Sequence, residues 1–359
     1  MKKQIHWAEP RIEEEEIEAV KEAVKSTWIG GNGPLVRQFE KELSSLLGVK
    51  YAIAVNNGTS ALLCAMQALR EAKYPMRFLV PTLTFFATGA TVHEMSEKGL
   101  SYLIDCDRKT FNILTDLSFY RGVPIVVPVD VGGLPVDYDE LRKNEKIMLA
   151  DSAEALGSKY KGEYVGKQAD IHTFSFHSAK VITTGEGGAI TTNNKELYEM
   201  MKSIANQGYG KKEWYEYRHE RIGFNYRMPE LQAALGLVQL KKLDRFVRER
   251  NEKAKTYKDI LGDLVEYQHV PKWATHNYFL FIILVKNNVK LCQELKKEGI
   301  ETKTMWIPLH KQPPFDRNAH LENAEEVANH GLTLPIHNNL SEEDVKEIAQ
   351  VVRRLIKNE

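Results

Sequence analysis

The sequence predicts an α/β protein whose large domain has a mostly parallel sheet covered by helices, followed by a smaller C-terminal α+β domain. Short apolar runs alternate with amphipathic helical patterns from about residue 51 onward, as in sheets with helices on both faces. The pattern changes near residue 250. A chain of 359 residues is long enough for two domains. We predict a large domain over 1–250 and a small domain over 251–359.

Two helices are predicted before the sheet begins. The acidic run Glu13–Glu16 suits the positive end of a helix dipole and indicates a helix start. The apolar stripe of this helix consists of Ile17, Val20 and Val24. The segment Trp28–Pro34 is rich in glycine and predicts a loop. The stripe of the second helix consists of Phe39, Leu43 and Leu46.

Seven short apolar runs provide the predicted strands of the large domain. These strands are Tyr51–Val55, Arg77–Val80, Leu100–Ile104, Ile125–Pro128, Ile147–Ala150, His172–Phe176 and Gly188–Thr192. Helices are predicted over Thr59–Glu71 and Ala87–Ser96, and from Pro229 to about Arg248. The elements predicted for the small domain are the strands Tyr278–Val285 and Glu301–Met305 and the helices Val289–Glu298 and Ser341–Lys357, with Ser341 as N-cap and Asp344 near the N3 position.

Composition excludes several classes of function. Lysine plus arginine equals aspartate plus glutamate at 49 each, so the chain lacks the excess charge typical of proteins that bind nucleic acids or anionic membranes. No apolar run reaches the roughly 18 residues that a transmembrane helix needs. The first residues lack the apolar stretch of a secretory signal, so we expect a cytoplasmic protein.

The cysteines point to reduced thiols rather than to disulfides or a metal. Cys64, Cys106 and Cys292 are an odd number and stand far apart. No pair has the spacing of zinc ligands, so we predict no metal site.

The first candidate site lies in Asn57-Gly58-Thr59-Ser60, which follows a predicted strand and opens a helix. The N–H groups at a helix start and the hydroxyls of Thr59 and Ser60 favour a phosphate, and Gly58 lets the backbone approach that anion. The alternative is a capped turn without a ligand.

The second candidate is Asp151, at the carboxyl end of the predicted strand Ile147–Ala150. Ligands bind at this edge of an open α/β sheet. A carboxylate there can keep a pyridinium nitrogen protonated, which makes a pyridine cofactor an electron sink. The alternative is that Asp151 caps the next helix.

The third candidate is Lys180, within Phe174–Gly188. This lysine lies among small and apolar residues directly before a Gly-rich turn, where an ammonium group must pair, reach solvent or react. Lysines in such places form Schiff bases. Ser175 lies five residues upstream and could add a hydroxyl to the phosphate site.

Taken together and in this order, the motifs closely resemble the DegT/DnrJ/StrS family of sugar aminotransferases, which have fold type I among pyridoxal-phosphate (PLP) enzymes. The resemblance covers nearly the whole chain. It rests on the segments Trp28–Pro34, Asn57–Leu62, Pro81–Phe85, Asp151–Gly157, Phe174–Gly188, Asn225–Pro229 and Pro308–His310.

The resemblance implies roles for individual residues. Lys180 would form the Schiff base with PLP and move the proton at the substrate carbon. Asp151 would hold the pyridinium nitrogen, and Glu154 would bond the 3-hydroxyl of the cofactor. Phe85 would stack on the cofactor ring. The phosphate would be held by Gly58, Thr59, Ser60 and Ser175.

Two further residues are implied at the edges of the site. Asn225 would reach the phosphate bound by a neighbouring subunit, so the resemblance implies homodimers with shared active sites. His310 matches a histidine near the sugar-nucleotide pocket.

The chain departs from many relatives at Asp130–Gly133, where they carry His-Leu-Tyr-Gly near the substrate. The loops at 74–77 and 112–120 also look shortened.

The reaction implied is transfer of an amino group, from a donor such as glutamate, to a keto sugar carried on a nucleotide. The run after Lys180 is similar to that of members acting at carbon 4. A related 3-dehydratase would have histidine in place of Lys180, and His177 lies three residues away from that position. A regulatory cofactor-binding protein without turnover is a further alternative. A Rossmann nucleotide-binding domain is disfavoured because no Gly-x-Gly-x-x-Gly follows the first strand.

Overall fold

The computed structural model of the protein describes residues 4–97, 101–210, 216–315 and 319–358. The α-helices are α1 (Glu14–Lys25), α2 (Pro34–Leu47), α3 (Gly58–Glu71), α4 (Phe86–Met95), α5 (Tyr138–Arg142), α6 (Lys195–Ala205), α7 (Glu230–Leu261), α8 (Asn288–Lys297), α9 (Glu322–His330) and α10 (Glu342–Lys357). The β-strands are β1 (Tyr51–Val55), β2 (Phe78–Pro81), β3 (Ser101–Ile104), β4 (Ile125–Val126), β5 (Ile147–Asp151), β6 (Lys159–Tyr160), β7 (Glu163–Tyr164), β8 (Ile171–Ser175), β9 (Gly188–Thr192), β10 (Glu266–Tyr267), β11 (Ala274–Thr275), β12 (Phe281–Leu284), β13 (Lys303–Thr304) and β14 (Gly331–Leu334).

A seven-stranded sheet in the order β1-β9-β8-β5-β4-β2-β3 forms the centre of the molecule. β9 is antiparallel to β1 and to β8, and the other neighbours are parallel. Most residues of its strands are buried, as expected for a sheet covered on both faces, although Tyr102 of β3 is exposed. The predicted mostly parallel α/β fold is confirmed.

The helix α3 packs against one face of this sheet over nearly its whole length. Ala61, Ala65 and Ala68 are fully buried. These small side chains let α3 approach the sheet and its helical neighbours α4 and α6 closely. The start of α3 is thereby fixed at the edge of the sheet where β1 ends.

The C-terminal part of the chain forms a separate antiparallel sheet in the order β10-β12-β14-β13. The helices α8 and α10 and the second half of α7 cover it with apolar side chains. The long helix α7 continues past residue 250 to Leu261, so the predicted domain boundary falls inside a continuous helix. The capping box of Ser341 and Asp344 at the start of α10 is present as predicted.

Most predicted strands of the large sheet match the structure to within one or two residues. Residue 100 of the predicted strand Leu100–Ile104 lies outside the described residues, and β3 covers the rest. In the C-terminal part of the chain, the strands are shorter than predicted: β12 covers Phe281–Leu284 and β13 only Lys303–Thr304.

Of the apolar stripe predicted for α1, Ile17 and Val24 face solvent rather than the core of the chain, and Val20 is half-buried. The exposed fractions of Ile17 and Val24 are 52% and 54%. Glu16 is buried instead, because its carboxylate accepts hydrogen bonds from Lys242 and Gln239 of α7. The ion pair of Glu16 with Lys242 therefore fixes the orientation of α1, and the side chains of Ile17 and Val24 face solvent.

The helix α2 is capped by a residue from a distant part of the sequence. Its N-cap residue, Gly33, has no side chain to offer. The carboxylate of Glu230 accepts hydrogen bonds of 2.9 Å from the backbone N–H groups of both Leu35 and Val36. A Cβ atom on Gly33 would lie 2.2 Å from Cδ of Glu230, so glycine leaves room for this carboxylate.

No helix among the described residues is long and apolar enough to cross a membrane. The three cysteines are free thiols, as predicted, and Cys64 and Cys106 are buried.

Candidate active site

A cavity of about 440 Å³ lies where β1, β5 and β8 end. Because these strands are parallel, the residues that follow them meet at one edge of the sheet. Seven of the predicted site residues line this cavity, namely Gly58, Thr59, Phe85, Asp151, Glu154, Ser175 and Lys180.

The start of α3 forms one end of the cavity. Asn57 is the N-cap, and its Oδ1 accepts the N–H of Ser60 at 2.8 Å. The N–H groups of Gly58 and Thr59 precede the first intrahelical bond, so they can serve an anion. A Cβ on Gly58 would lie 3.0 Å from Cβ of Ser175, so glycine lets the Ser175 hydroxyl sit beside the helix start. This end of the cavity suits a phosphate group.

Asp151, the last residue of β5, has an exposed fraction of 6%. Its Oδ2 accepts a hydrogen bond of 2.6 Å from the hydroxyl of Thr88, and its Oδ1 accepts the N–H of Ala153. Burial raises the pKa of Asp151, whereas the Thr88 hydrogen bond and the charge of Lys180 oppose this rise. A buried carboxylate at this place gains most from a cationic partner, such as a pyridinium nitrogen.

Glu154 lies beside the lysine. Its Oε2 accepts a hydrogen bond of 2.8 Å from the backbone N–H of Gly132, and its Oε1 lies 3.6 Å from Nζ of Lys180. Burial raises the pKa of Glu154 to about 7, although the lysine charge opposes the shift. The carboxyl group can therefore accept or donate a hydrogen bond near neutral pH.

Lys180 lies in the loop after β8, and its side chain is 16% exposed. Besides the contact with Glu154, its Nζ lies 4.1 Å from the centroid of the Phe279 ring. The amine is thus held on the cavity wall between a carboxyl group and an aromatic face. An amine in this position can form a Schiff base with an aldehyde bound beside Asp151.

The Thr-Thr-Gly-Glu-Gly-Gly run after Lys180 closes the base of its loop. The hydroxyl of Thr183 and the backbone N–H of Thr184 both donate to the carbonyl of Phe176. Gly187 accepts the N–H of Phe176 in return. Gly185 adopts a φ of +80°, which favours glycine. The motif therefore fixes the loop that carries the lysine.

The segment Asp130–Gly133, where the sequence differs from the pattern of many family members, contacts the cavity through Glu154. Its Gly132 N–H orients Glu154, as described above. Asp130 is buried and accepts hydrogen bonds from the hydroxyls of Tyr138 and Ser152. Burial raises the pKa of Asp130 to about 6.

The polar chain below the cavity extends from Asp130 to a buried histidine. His172 Nε2 accepts the N–H of Ala169, so in the neutral ring its Nδ1 carries the proton and donates to Ser152. Ser152 then donates to Asp130. Burial lowers the His172 pKa to about 3, which keeps this ring neutral. These hydrogen bonds tie Ser152, which follows Asp151, to Asp130 and to His172 of the neighbouring strand β8.

The outer wall of the cavity is aromatic. Phe85 is 60% exposed, and its ring makes an edge contact with Trp306 at a centroid distance of 6.5 Å. Trp7 also lines this wall. The N-terminal segment brings Trp7 there because Ile5 pairs in parallel with Ile300, which follows α8.

The remaining predicted site residues lie outside the lining of this cavity. Ser60 is buried behind the helix start. Asn225 is exposed and pairs through its backbone with Asn206, so its predicted role in a neighbouring subunit stays a prediction. His310 is buried, with Nδ1 2.7 Å from the hydroxyl of Thr82 and Nε2 3.1 Å from Glu325. Its predicted contact with substrate also stays a prediction.

Sequence reasoning missed several residues that shape the site. Thr88, Gly132 and Phe279 contact Asp151, Glu154 and Lys180, respectively. Thr88 lies only three residues after Phe85 and could have been proposed from that proximity. Nothing in the local sequence of Gly132 or Phe279 identifies the side chain that each contacts, because these contacts arise only when the chain folds.

The described residues fit PLP. A helix start with adjacent hydroxyls suits its phosphate, the buried carboxylate of Asp151 suits its pyridine nitrogen, and the amine of Lys180 suits its aldehyde. Glu154 and Phe85 line the same space.

Comparison with known proteins agrees with this fit. The chain is 34% identical over 356 residues to GDP-perosamine synthase of Escherichia coli O157:H7, which covers 96% of each chain. It is 32% identical over 366 residues to UDP-4-amino-4,6-dideoxy-N-acetyl-β-L-altrosamine transaminase of Helicobacter pylori, covering 98% of this chain and 97% of the relative. The solved structure of Helicobacter pylori PseC, an aminotransferase of pseudaminic acid biosynthesis, matches with a TM-score of 0.93 and 31% identity, covering 99% of this chain and 100% of that one.

The sequence profile of the DegT/DnrJ/EryC1/StrS aminotransferase family matches residues 10–353, which is nearly the whole chain. This match confirms the resemblance identified from the motifs. The protein is therefore a PLP-dependent aminotransferase that belongs to the DegT/DnrJ/EryC1/StrS aminotransferase family.

Proposed function

We propose that the protein transfers an amino group from glutamate to carbon 4 of a keto-deoxy sugar carried on a nucleotide. One observation carries the proposal: the amine of Lys180, the buried carboxylate of Asp151 and the start of α3 face a single cavity. This arrangement serves a phosphate, a pyridine nitrogen and an aldehyde at the same time.

Each residue has a distinct part in this reaction. Bound PLP supplies an electron sink for the substrate carbon. The Lys180 amine moves the proton at that carbon, and Asp151 keeps a proton on the ring nitrogen. Glu154 would bond the 3-hydroxyl of the cofactor, and Phe85 would cover its ring. The phosphate would be held by Gly58, Thr59 and Ser175, which line the cavity, and the predicted contact of Ser60 stays a prediction.

The substrate class is supported by the relatives and by the lysine segment. The relatives from Escherichia coli and Helicobacter pylori are named for nucleotide-linked amino sugars, and the latter name places an amino group at carbon 4. The run Lys180–Gly188 is similar to that of members acting at this carbon. Glutamate is proposed as the donor because the resemblance implies it.

We further propose that the active molecule is a homodimer with shared active sites. The apolar side chains of Ile17, Val24, Trp28 and Ile29 are each more than half exposed. The loop that holds Trp28 is tied to the start of α7, because the carbonyl of Gly30 accepts the N–H of Glu230. The loop that carries Trp28 and Ile29 therefore lies beside the segment Asn225–Pro229, which precedes α7.

The two alternative functions, a sugar 3-dehydratase and a regulatory protein without turnover, are less well supported. A sugar 3-dehydratase would have histidine at position 180, and His177 instead lies at the exposed rim of the cavity near Glu186, at 3.8 Å. A regulatory protein without turnover would not need an amine on the cavity wall beside Asp151 and Glu154.

The test is the near-visible absorbance of the purified protein loaded with PLP, before and after addition of glutamate. We expect a yellow absorbance that glutamate converts to the pyridoxamine form. The Lys180→Ala variant should bind PLP without a covalent link that borohydride can trap. A wild-type absorbance that no amino donor changes would contradict the proposal.

A further inference from the structure

We propose that Lys303 is an anion-binding residue of the active site that receives the negatively charged group of the substrates, either a carboxylate or a diphosphate. This inference deepens the proposed function and rests on it for the identity of the substrates. The ammonium group belongs to β13 of the small domain and lines the cavity at its aromatic wall.

The charges around the cavity are the first argument. Among the described residues that line it, the carboxylates are Asp151, Glu154 and Glu186, and the cations are Lys180 and Lys303. Glutamate and a nucleotide-linked sugar are both anionic. Because Lys180 is engaged in the reaction, Lys303 is the lysine that this chain can offer to the anionic part of either molecule.

The second argument is that Lys303 forms no ion pair with any carboxylate in the described part of the chain. Its Nζ lies 4.3 Å from the centroid of the Trp7 ring instead. An aromatic face attracts an ammonium group without neutralising its charge. The contact therefore holds Nζ in place and leaves its N–H groups free for an anion.

The third argument is that hydrogen bonds to Thr333 hold both Trp7 and Lys303 in place. The indole N–H of Trp7 donates to the hydroxyl of Thr333 at 2.8 Å, and that hydroxyl donates to the carbonyl of Lys303 at 2.9 Å. Lys303 and Thr333 are also register partners between β13 and β14. The backbone N–H of Trp7 donates to Glu301, which fixes the N-terminal segment beside the same strand.

The Lys303 side of the cavity and its phosphate end are formed by different parts of the chain. The cofactor contacts come from the large domain, whereas Trp7, Lys303 and Trp306 come from the N-terminal segment and the small domain. An anion bound at Lys303 would thus lie between the two parts of the chain.

The experiment measures binding rather than turnover. PLP-loaded wild type and the Lys303→Met variant are titrated in a calorimeter with glutarate, a dicarboxylate that has no amino group to react, and separately with UDP and GDP. The control is Lys286→Met, which removes an exposed lysine after β12 that does not line the cavity.

We expect Lys303→Met to weaken binding of at least one probe by about tenfold or more, the effect of losing one charge-assisted hydrogen bond. Lys303→Arg should restore most of the affinity, and Lys286→Met should leave it unchanged. Weaker binding of glutarate alone assigns Lys303 to the carboxylate, and weaker binding of UDP or GDP alone assigns it to the diphosphate.

The inference is overturned if Lys303→Met binds all probes as tightly as wild type, or if wild type binds none of them. Failure of the proposed function looks different. In that case glutamate leaves the wild-type absorbance unchanged, while the loss of anion binding in Lys303→Met still appears.

Discussion

The hydroxyl of Thr88 donates a hydrogen bond of 2.6 Å to Oδ2 of Asp151, and both side chains are buried. The hydroxyl of Thr84 lies 2.9 Å from that of Thr88 and can donate to it in turn. Hydrogen bonds to a carboxylate favour its charged form. The two threonines therefore counteract the burial that raises the Asp151 pKa, and they help to keep the charge that a pyridinium nitrogen needs.

Replacing Thr88 with valine tests this relationship. The change keeps the side-chain shape but removes the donor, so the Asp151 pKa should rise further. We expect a loss of stability of about 1–3 kcal/mol and a clear fall in kcat. Thermal unfolding and the pH profile of kcat measure the two effects. Thr88→Ser retains the donor and should stay close to wild type, and equal damage by both variants would contradict the assigned role.

The Asp151→Asn variant should fold but turn over at least about a hundredfold more slowly. The amide keeps the size of the side chain but cannot hold a proton on the cofactor nitrogen, which is a loss of preorganised charge at the reacting group. Circular dichroism checks the fold, and single-turnover absorbance checks the reaction with glutamate. Near-normal activity would refute the role of Asp151.

The Glu154→Gln variant should change how the stability of the cofactor-free protein depends on pH. The pKa of Glu154 is raised from 4.5 to about 7 by burial. A raised carboxyl pKa contributes stability below the unfolded pKa, and this contribution is lost as the pH rises through the folded pKa. Glutamine cannot ionise and avoids this loss.

We therefore expect Glu154→Gln to match wild type at about pH 4 and to exceed it by about 1–3 kcal/mol at about pH 8. Urea unfolding at the two pH values measures the difference. Parallel curves for the two proteins would show that ionisation of Glu154 does not limit stability.

Gly188→Ala should disturb the phosphate end of the cavity. A Cβ at this position would lie 2.5 Å from the carbonyl carbon and oxygen of Asn57, and backbone atoms cannot move aside as a flexible side chain can. We expect a stability loss of about 1–3 kcal/mol and weaker binding of PLP. The matched control is Gly122→Ala, since a Cβ on Gly122 would meet no atom within 4 Å. Equal PLP affinity in both variants would contradict the expectation.

The shared active site can be tested by mixing two inactive variants. Lys180→Ala lacks the reacting amine, and Asn225→Ala lacks the residue proposed to reach the other subunit. If each site takes these residues from different chains, a mixed dimer regains one intact site, and random mixing should restore about one quarter of wild-type activity. Unfolding and refolding the two variants together, with each variant alone as control, gives the comparison. No recovery would argue against sharing through Asn225.

Much of the fold could be predicted because the large sheet obeys local rules. The buried parallel strands are short apolar runs, and Asp151 and Ser175 end two of them, so the meeting of these residues at one edge followed from strand direction. Lys180 stood out because an amine among small and apolar residues needs an explanation.

What could not be predicted depends on partners that are distant in the sequence. The stripe of Ile17 and Val24 suggested a face toward the core, but the pairing of Glu16 with Lys242 turns that face outward. Gly33 gives no sign that Glu230 will cap α2. The contact of Phe279 with Lys180 joins distant parts of the sequence and arises only when the chain folds.

The hydrogen bond between Trp7 and Thr333 joins residues near opposite ends of the sequence, so it can form only late in translation. During translation the residues that hold the cofactor leave the ribosome while the partners of Trp7 are still unmade. Trp7 therefore cannot form its hydrogen bond with Thr333 until nearly all of the chain has emerged. Contacts between such distant positions slow folding because a long loop must close first. The aromatic wall is thus the last part of the cavity to be completed, and a chain that stalls before β14 would carry its catalytic lysine in a pocket still open on one side.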